Sequence, residues 1–257
     1  MKPAWSLFAF LIFVLQVAAQ TNCNEGAGPL NPNLPSSTTP DEIIQKFAAN
    51  EATFKQARTA YTFTRDLTIQ TLRRGSFRRG PAVTGEYRLV SEMSFDDHGK
   101  LMEKVTFAPR STLNSVQVTQ QDFDDIRSMA DFVFTPAELS QYAIHYAGRQ
   151  RVDELDTYAF DVSPKHLQKD HRYFEGSIWV DIQELAIVKT CGKRVPDRHG
   201  KRQENVSPRF VTYREQVDGR YWFPTYSRAD EVLFFLRNQA QVREIIKYTR
   251  YQRLASR

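Results

Sequence analysis

The side chains that most often carry catalysis or metal binding are few in this chain, and their spacing fits none of the common patterns. No two histidines have the spacing of a zinc-binding HExxH helix, and there is no GxSxG motif, phosphate-binding loop or dinucleotide fingerprint. The five histidines are His98, His145, His166, His171 and His199. We therefore predict that the protein is not an enzyme and that it holds neither a metal ion nor another cofactor.

Three acidic residues, Asp122, Asp124 and Asp125, lie at the start of a predicted helix. The glycine and the distal glutamate of an EF-hand calcium loop are both missing here. Negative charge at a helix N-terminus stabilises the helix dipole. We therefore predict a structural role for these carboxylates rather than a calcium site.

The N-terminus has the pattern of a secretory signal peptide. Met1 and Lys2 precede an apolar run from Leu7 to Val17, and the small residues Ala18 and Ala19 follow. A transmembrane anchor is the alternative, but the run is shorter than the about 20 apolar residues that span a bilayer. We therefore predict that residues 1–19 are a signal peptide, cleaved after Ala19, and that the protein is periplasmic.

The chain has two cysteines, Cys23 and Cys191. A lipid-modified Cys23 is not favoured, because the polar residues Gln20, Thr21 and Asn22 precede it instead of small aliphatic ones. In an oxidising compartment the two cysteines could form a disulfide. Whether they pair stays open, because Cys23 lies in a segment predicted to be flexible.

Residues 20–40 are rich in Gly, Pro, Ser, Thr and Asn and lack apolar periodicity, so we predict a flexible linker there. Residues 41–257 have an ordinary length for one domain. The net charge of +5 is spread along the chain. We therefore do not expect nucleic acid as a partner, whereas contact with an acidic lipid surface stays open.

The elements that could build a binding site are mainly strands. In 172–192, Phe174, Ile178 and Val180 alternate with more polar residues, and Leu185 and Ile187 continue the pattern after a polar turn at 181–184. Such alternation is typical of a hairpin with one face in an apolar interior. Similar patterns cover 61–69, 84–95, 101–108, 142–152, 157–162, 210–217, 221–229 and 242–251.

Helices are predicted at only three places. Thr39 and Pro40 begin a helix that runs to about Gln56, helical turns follow within 121–132, and a short helix begins at Pro136. Together with the strands this predicts an α+β fold. It is a single domain with a wide, curved antiparallel sheet whose concave face is covered by short helices.

The aromatic content suggests a function for the concave face, since the chain contains 11 Tyr, 18 Phe and 3 Trp. These residues could form an ordinary core, or some could line a cavity for an acyl chain, because apolar ligands need a dry, concave wall. The helices look too few to cover the sheet completely, so we predict an acyl-binding cavity. Its predicted wall consists of Phe63, Arg65, Phe160, Phe174, Ile178, Val180, Leu185, Ile187 and Phe223.

Four segments carry a family resemblance: YAFDVSPK, RYFEGSIWVD, LAIVKTCGK and VTYREQVDGRYWFPTYSRAD. The chain resembles bacterial outer-membrane lipoprotein-sorting proteins of the LolA/LolB-like superfamily, and especially exported members of the Acidobacteria type. The resemblance covers roughly residues 41–253. It implies an unclosed β-barrel around helices, with a hydrophobic cavity for the acyl chains of lipoproteins or lipids.

The resemblance also implies a role for Arg65, because the best-known carrier closes its lid through an arginine on an early strand. Arg65 shares a strand face with Tyr61, Phe63 and Leu67, so its N–H donors could bind the C-terminal carbonyls of a lid helix. Two functions follow. One is a periplasmic carrier of lipoproteins or lipids for outer-membrane sorting. The other is an RseB-like lipid or stress sensor or binding module, with an inner- or outer-membrane protein as a possible partner in either case.

Overall fold

The computed structural model describes residues 20–73, 80–114, 116–130, 132–168, 171–196, 207–234 and 239–254. The predicted signal peptide, residues 1–19, lies outside the described residues. The helices are α1 (Pro40–Ala57), α2 (Gln120–Ala130) and α3 (Pro136–Leu139), and a 3-10 turn follows α1 at Arg58–Ala60. The strands are β1 (Tyr61–Arg73), β2 (Ala82–Phe95), β3 (Leu101–Phe107), β4 (Tyr142–Val152), β5 (Leu155–Pro164), β6 (Tyr173–Asp181), β7 (Ile187–Val195), β8 (Phe210–Val217), β9 (Tyr221–Phe234) and β10 (Gln239–Arg253).

All ten strands belong to one antiparallel sheet with the order β3-β2-β1-β10-β9-β8-β7-β6-β5-β4. Strands that follow one another in sequence are therefore neighbours, except where β1 pairs with β10 and where α2 and α3 separate β3 from β4. The edge strands β3 and β4 do not pair with each other, so the sheet stays open. The predicted α+β class with an unclosed antiparallel sheet is confirmed.

The sheet wraps around its helices. Ten strands at about 4.8 Å spacing would span more than 40 Å if flat, whereas a helix is about 10 Å wide. Yet one continuous hydrophobic cluster joins Ile43 and Phe47 of α1 to Met93 on β2 and to Phe160 and Val162 on β5. Strands so far apart in the sheet can meet the same helices only if the sheet is strongly curved.

Helix α1 begins where the sequence predicts. Thr39 is its N-cap, and Thr39 and Glu42 form a capping box that satisfies two otherwise unpaired backbone N–H groups. Ile43, Ile44 and Phe47 lie on the buried side of the helix, as their spacing predicts. Helix α1 thereby covers the concave face over β5.

Residues 20–34, which we call the N-terminal arm, do not form a free linker. Cys23 is bonded to Cys191 of β7, and Ala27 and Asn31 form antiparallel bridges to Val152 and Arg149 of the edge strand β4. The predicted flexible linker is therefore wrong for this segment. Polar composition did not reveal that backbone hydrogen bonds and a covalent bond hold it to the sheet.

The arm packs on the face opposite the helices. Cys23 and Ala27 cover a second hydrophobic cluster that includes Trp179, Val188 and Val211. The carbonyl of Glu25 accepts a hydrogen bond of 2.7 Å from the ammonium group of Lys189, which has no exposed surface. The disulfide thus settles the question that the sequence left open and places the arm over the convex face.

Candidate functional site

Most residues of the predicted acyl-binding wall lie in the closed core. Phe160, Phe174, Ile178, Val180 and Ile187 all have 0% exposed surface and belong to the main hydrophobic cluster. Phe47 of α1 packs on Phe160 with 5.8 Å between the ring centroids, and Phe132, between α2 and α3, packs on Phe174 with 4.5 Å. In the structure these five residues surround packed helices, and their role in acyl binding stays a prediction.

The other three apolar residues of the predicted wall lie elsewhere. Phe63 and Phe223 border a small cavity of about 310 Å³ beside Phe54 and Tyr251. Leu185 does not lie on a strand: it has a positive φ of 50° in the turn before β7, which begins only at Ile187. The alternation predicted for the second strand therefore started two residues too early, because a turn conformation replaces extended backbone there.

The concave face does contain an open cavity, on the side of β1, β10, β9 and β8. Its volume is about 670 Å³, part of which is open to solvent, and we call it the α2 cavity because α2 forms one wall. Its apolar lining comes from the sheet, from α2 and from the segments before α2 and β8. These residues are Ile69, Val116, Val118, Ile126, Pro208, Phe210, Leu233 and Val242.

Polar side chains also line the α2 cavity. Asp122 and Asp125 of α2, Arg172 before β6, Arg194 of β7 and Glu244 of β10 all border it. Arg172 donates hydrogen bonds of 3.0 Å to Asp125 and 2.9 Å to Ser207, and Arg194 lies over the ring of Phe132. The cavity is therefore amphipathic, since an apolar floor is combined with paired charges along one side.

Glu244 is the unusual member of this lining. It is half-buried, and burial raises its pKa to about 7, with the negative charges of Asp122 and Asp125 adding to the effect. The sequence analysis missed it, although a signal existed. Glu244 is the one carboxylate in the alternating series Val242, Glu244, Ile246, Tyr248 of β10.

Arg65 lies on the concave face, but among the described residues no helix carbonyl accepts a hydrogen bond from it. Its side chain is 1% exposed and donates to the carboxylate of Glu103 on β3. Glu103 also accepts hydrogen bonds from Ser91 (2.7 Å) and from Arg127 of α2 (3.0 Å). Arg65 therefore reaches the helix through an intervening carboxylate, and we call this connection the Arg65–Glu103–Arg127 tether.

The tether determines the ionisation of Glu103. Burial alone would raise the pKa of this carboxyl group, but the Ser91 hydroxyl, the positive charge of Arg65 and the hydrogen bond from Arg127 outweigh it and hold the pKa below its usual value. Glu103 thus stays negative at neutral pH and holds α2 to the edge of the sheet.

A second charged link fixes the other helix. Arg214 of β8 and Glu51 of α1 form an ion pair of 2.7 Å, and each side chain is only 3% exposed. Arg214 also donates to the carbonyl of Phe132, while Glu51 accepts a hydrogen bond from the backbone of Phe134. One buried pair thus anchors α1 and the segment between α2 and α3 to the sheet.

Within the described part of the chain, no group of three or more His, Cys, Asp or Glu side chains is placed to hold a metal ion. Of the described helices, none is long and apolar enough to cross a membrane. His145 lies exposed on the edge strand β4, and His199 falls outside the described residues.

No protein-family model and no curated protein matches this chain. Among solved structures, it is similar to a LolA superfamily protein from Nitrosomonas europaea, with 13% identity, a TM-score of 0.36, and coverage of 86% of this chain and 96% of the other. A putative outer membrane lipoprotein-sorting protein domain from Vibrio parahaemolyticus has 9% identity, a TM-score of 0.36, and coverage of 80% and 92%. The MucA/MucB complex of Pseudomonas aeruginosa has 11% identity, a TM-score of 0.23, and coverage of 81% and 99%.

At such low identity and TM-score, the function of this chain has to be argued from its own cavity and contacts.

Proposed function

We propose that this protein binds the hydrocarbon chain of a lipid or lipoprotein in the α2 cavity and acts as a periplasmic carrier. The observation that carries the proposal is the cavity itself, which is preformed, opens to solvent and has an apolar floor. The proposal involves no catalytic step.

The disulfide and the tether fit this role. A disulfide between Cys23 and Cys191 suits an oxidising compartment such as the periplasm. The Arg65–Glu103–Arg127 tether holds α2 to the sheet through polar contacts, and the Arg127 side chain is 38% exposed. Exposed ion pairs contribute little stability, so the contact with Arg127 adds little to the cost of moving α2 when a chain enters or leaves.

A lipid sensor that signals to a partner protein is the second candidate, and the edge strand β3 favours it. Glu103 lies on β3 and contacts α2, so the wall of the cavity is linked directly to this edge. Met102, Val105 and Phe107 of β3 are each about half exposed. An apolar sheet edge is a surface on which a partner protein can add a strand.

The carrier proposal is tested with a series of primary alkanols of 8 to 14 carbons that displace a fluorescent probe from the protein. Each methylene group buried in the cavity contributes about 0.8 kcal/mol, so affinity should rise about fourfold per added carbon until the cavity is full. Affinity that does not depend on chain length would contradict the proposal. Crosslinking in cells to a membrane protein through β3 would favour the sensor over the carrier.

A further inference from the structure

Glu244 occupies the middle of an apolar wall. Its cross-strand neighbours are Ile69 on β1 and Ala229 on β9. Along its own strand, Val242 and Ile246 flank it on the same face, and both are buried. The carboxylate therefore faces the α2 cavity from a surface that is otherwise hydrocarbon at this position.

Among the described residues, the Glu244 carboxylate has neither a hydrogen-bond donor nor an ion-pair partner. The side chain is half-buried and its oxygens are accessible to water in the open cavity. A hydrocarbon chain that enters would remove this water, and a carboxyl group that loses water without gaining a partner costs free energy. The two arginines of the cavity are engaged elsewhere, Arg172 with Asp125 and Ser207, and Arg194 over the ring of Phe132. A ligand that fills the cavity therefore needs a group that donates a hydrogen bond to Glu244.

The surrounding charge selects the kind of donor. Asp122 and Asp125 of α2 line the same cavity and disfavour a third negative charge at Glu244, which adds to the desolvation that raises the pKa of Glu244. A cation beside Glu244 would relieve this repulsion and restore the ionised carboxylate. An anionic headgroup placed beside Glu244 would add to the repulsion.

We infer that the α2 cavity selects an amphiphile with a primary amine next to its hydrocarbon chain, and that Glu244 accepts hydrogen bonds from the ammonium group. The inference rests on the proposed function and deepens it, since the apolar floor binds the chain while Glu244 determines which polar group accompanies it. Glu244 is a specificity residue in this scheme and takes no part in any reaction.

The experiment compares three ligands of one chain length, dodecylamine, dodecanol and dodecanoic acid, by isothermal titration calorimetry at pH 7.5 below their aggregation concentrations. A charge-assisted hydrogen bond is about twice as strong as a neutral one, so dodecylamine should bind about tenfold more tightly than dodecanol. Glu244→Gln should bring the two affinities within about twofold of each other. The control Glu215→Gln removes the same charge from an exposed position of β8 and should keep the amine preference.

Equal affinities of the wild type for amine and alcohol would overturn the inference, and so would a preference for the acid. A preference for dodecylamine that survives in Glu244→Gln would overturn it as well, because the cation would then bind elsewhere. These results leave the proposed function intact. If none of the three ligands binds, the proposed function itself fails.

Discussion

The guanidinium group of Arg65 pairs with the carboxylate of Glu103 across an intervening strand. Arg65 lies on β1 and Glu103 on β3, and β2 separates them. The position opposite Arg65 on β2 is Ser91, whose small side chain leaves room for the pair and donates a hydrogen bond to it. Ser91 thus allows three strands and helix α2 to share one charged group.

Removal of Arg65 should destabilise the fold strongly. Arg65→Met removes the buried cation that pairs with the largely buried carboxylate of Glu103 and leaves it Ser91 and the partly exposed Arg127. Loss of one member of a buried pair costs about 3–5 kcal/mol, which is the upper limit here. The double variant Arg65→Met/Glu103→Met should recover part of this loss. Urea unfolding of the three proteins measures both effects.

A matched control exists between β2 and β3. Glu92 and Lys104 form an ion pair of 3.2 Å, but their side chains are 61% and 79% exposed. Lys104→Met should therefore change the free energy of unfolding by no more than about 1 kcal/mol. If Arg65→Met and Lys104→Met lower the free energy of unfolding by the same amount, the Arg65–Glu103 pair is not a principal contact of the sheet.

Weakening the tether at its helical end should speed ligand exchange. Arg127→Gln removes the charge that links α2 to Glu103, and an exposed pair of this kind contributes up to about 1 kcal/mol, which corresponds to about a two- to fivefold faster dissociation. Stopped-flow release of a fluorescent acyl probe gives the rate. An unchanged rate would show that α2 does not gate the cavity.

The disulfide should protect the arm from proteolysis more than it protects the sheet. Loss of a disulfide from a small exported domain typically costs about 2–5 kcal/mol, and Cys23 and Cys191 are 168 residues apart in sequence. In Cys23→Ser the hydrogen bonds of the arm to β4 remain, but the covalent anchor is gone. Limited proteolysis should then cut within residues 20–34 before it cuts the sheet.

The reduced wild type provides the control for this experiment, because it keeps both cysteines. It should be cleaved like Cys23→Ser, whereas a reductant should leave the cleavage pattern of Cys23→Ser unchanged. Cleavage of the sheet first in either protein would mean that the arm is not the segment held by the bond.

Glu244 should make stability depend on pH in an unusual direction. Its pKa is about 7 in the folded protein, against an ordinary value of 4.5. Between these values the unfolded chain is ionised while the folded protein keeps the proton, so stability should fall as pH rises from 4.5 to 7. A full shift of this size corresponds to about 3 kcal/mol.

Glu244→Gln removes the titrating group and should be more stable than the wild type at pH 8, with a smaller difference at pH 4.5. Thermal unfolding of both proteins across this pH range measures the difference and cancels the contributions of other carboxylates. A constant difference between the two proteins at all pH values would contradict the raised pKa.

The strand pattern was predictable because period-2 alternation is a local property. β4 and β8 have the predicted bounds, and α1 begins at Pro40, where Thr39 and Glu42 supply the cap. The strand prediction was wrong where the backbone is not extended although the sequence alternates. Leu185 is an example, since its positive φ extends the turn before β7.

The cavity and the position of the arm could not be predicted from the sequence, because both depend on contacts between residues far apart in the chain. Phe47 of α1 packs on Phe160 and Phe132 packs on Phe174, whereas Val242 and Leu233 border open space. All four strand residues nevertheless have the same apolar pattern. Alternation shows which face of a strand is apolar but not whether a helix covers it. Likewise, nothing near Asn31 in the sequence shows that it pairs with Arg149 of β4.

The central claim is that the α2 cavity holds a hydrocarbon chain, and filling this cavity tests it most directly. Val118 lines the cavity and is half-buried, while Val105 on β3 is 52% exposed and lies outside it. Val118→Trp puts a large ring into the space, and Val105→Trp makes the same change on the surface.

The measurement is the affinity for tetradecanol of the wild type, Val118→Trp and Val105→Trp. Displacement of three or four buried methylene groups corresponds to about 2–3 kcal/mol, so Val118→Trp should bind at least about 30-fold more weakly, while Val105→Trp binds like the wild type. Equal affinity of all three proteins would contradict the account, because the chain would then lie outside the α2 cavity.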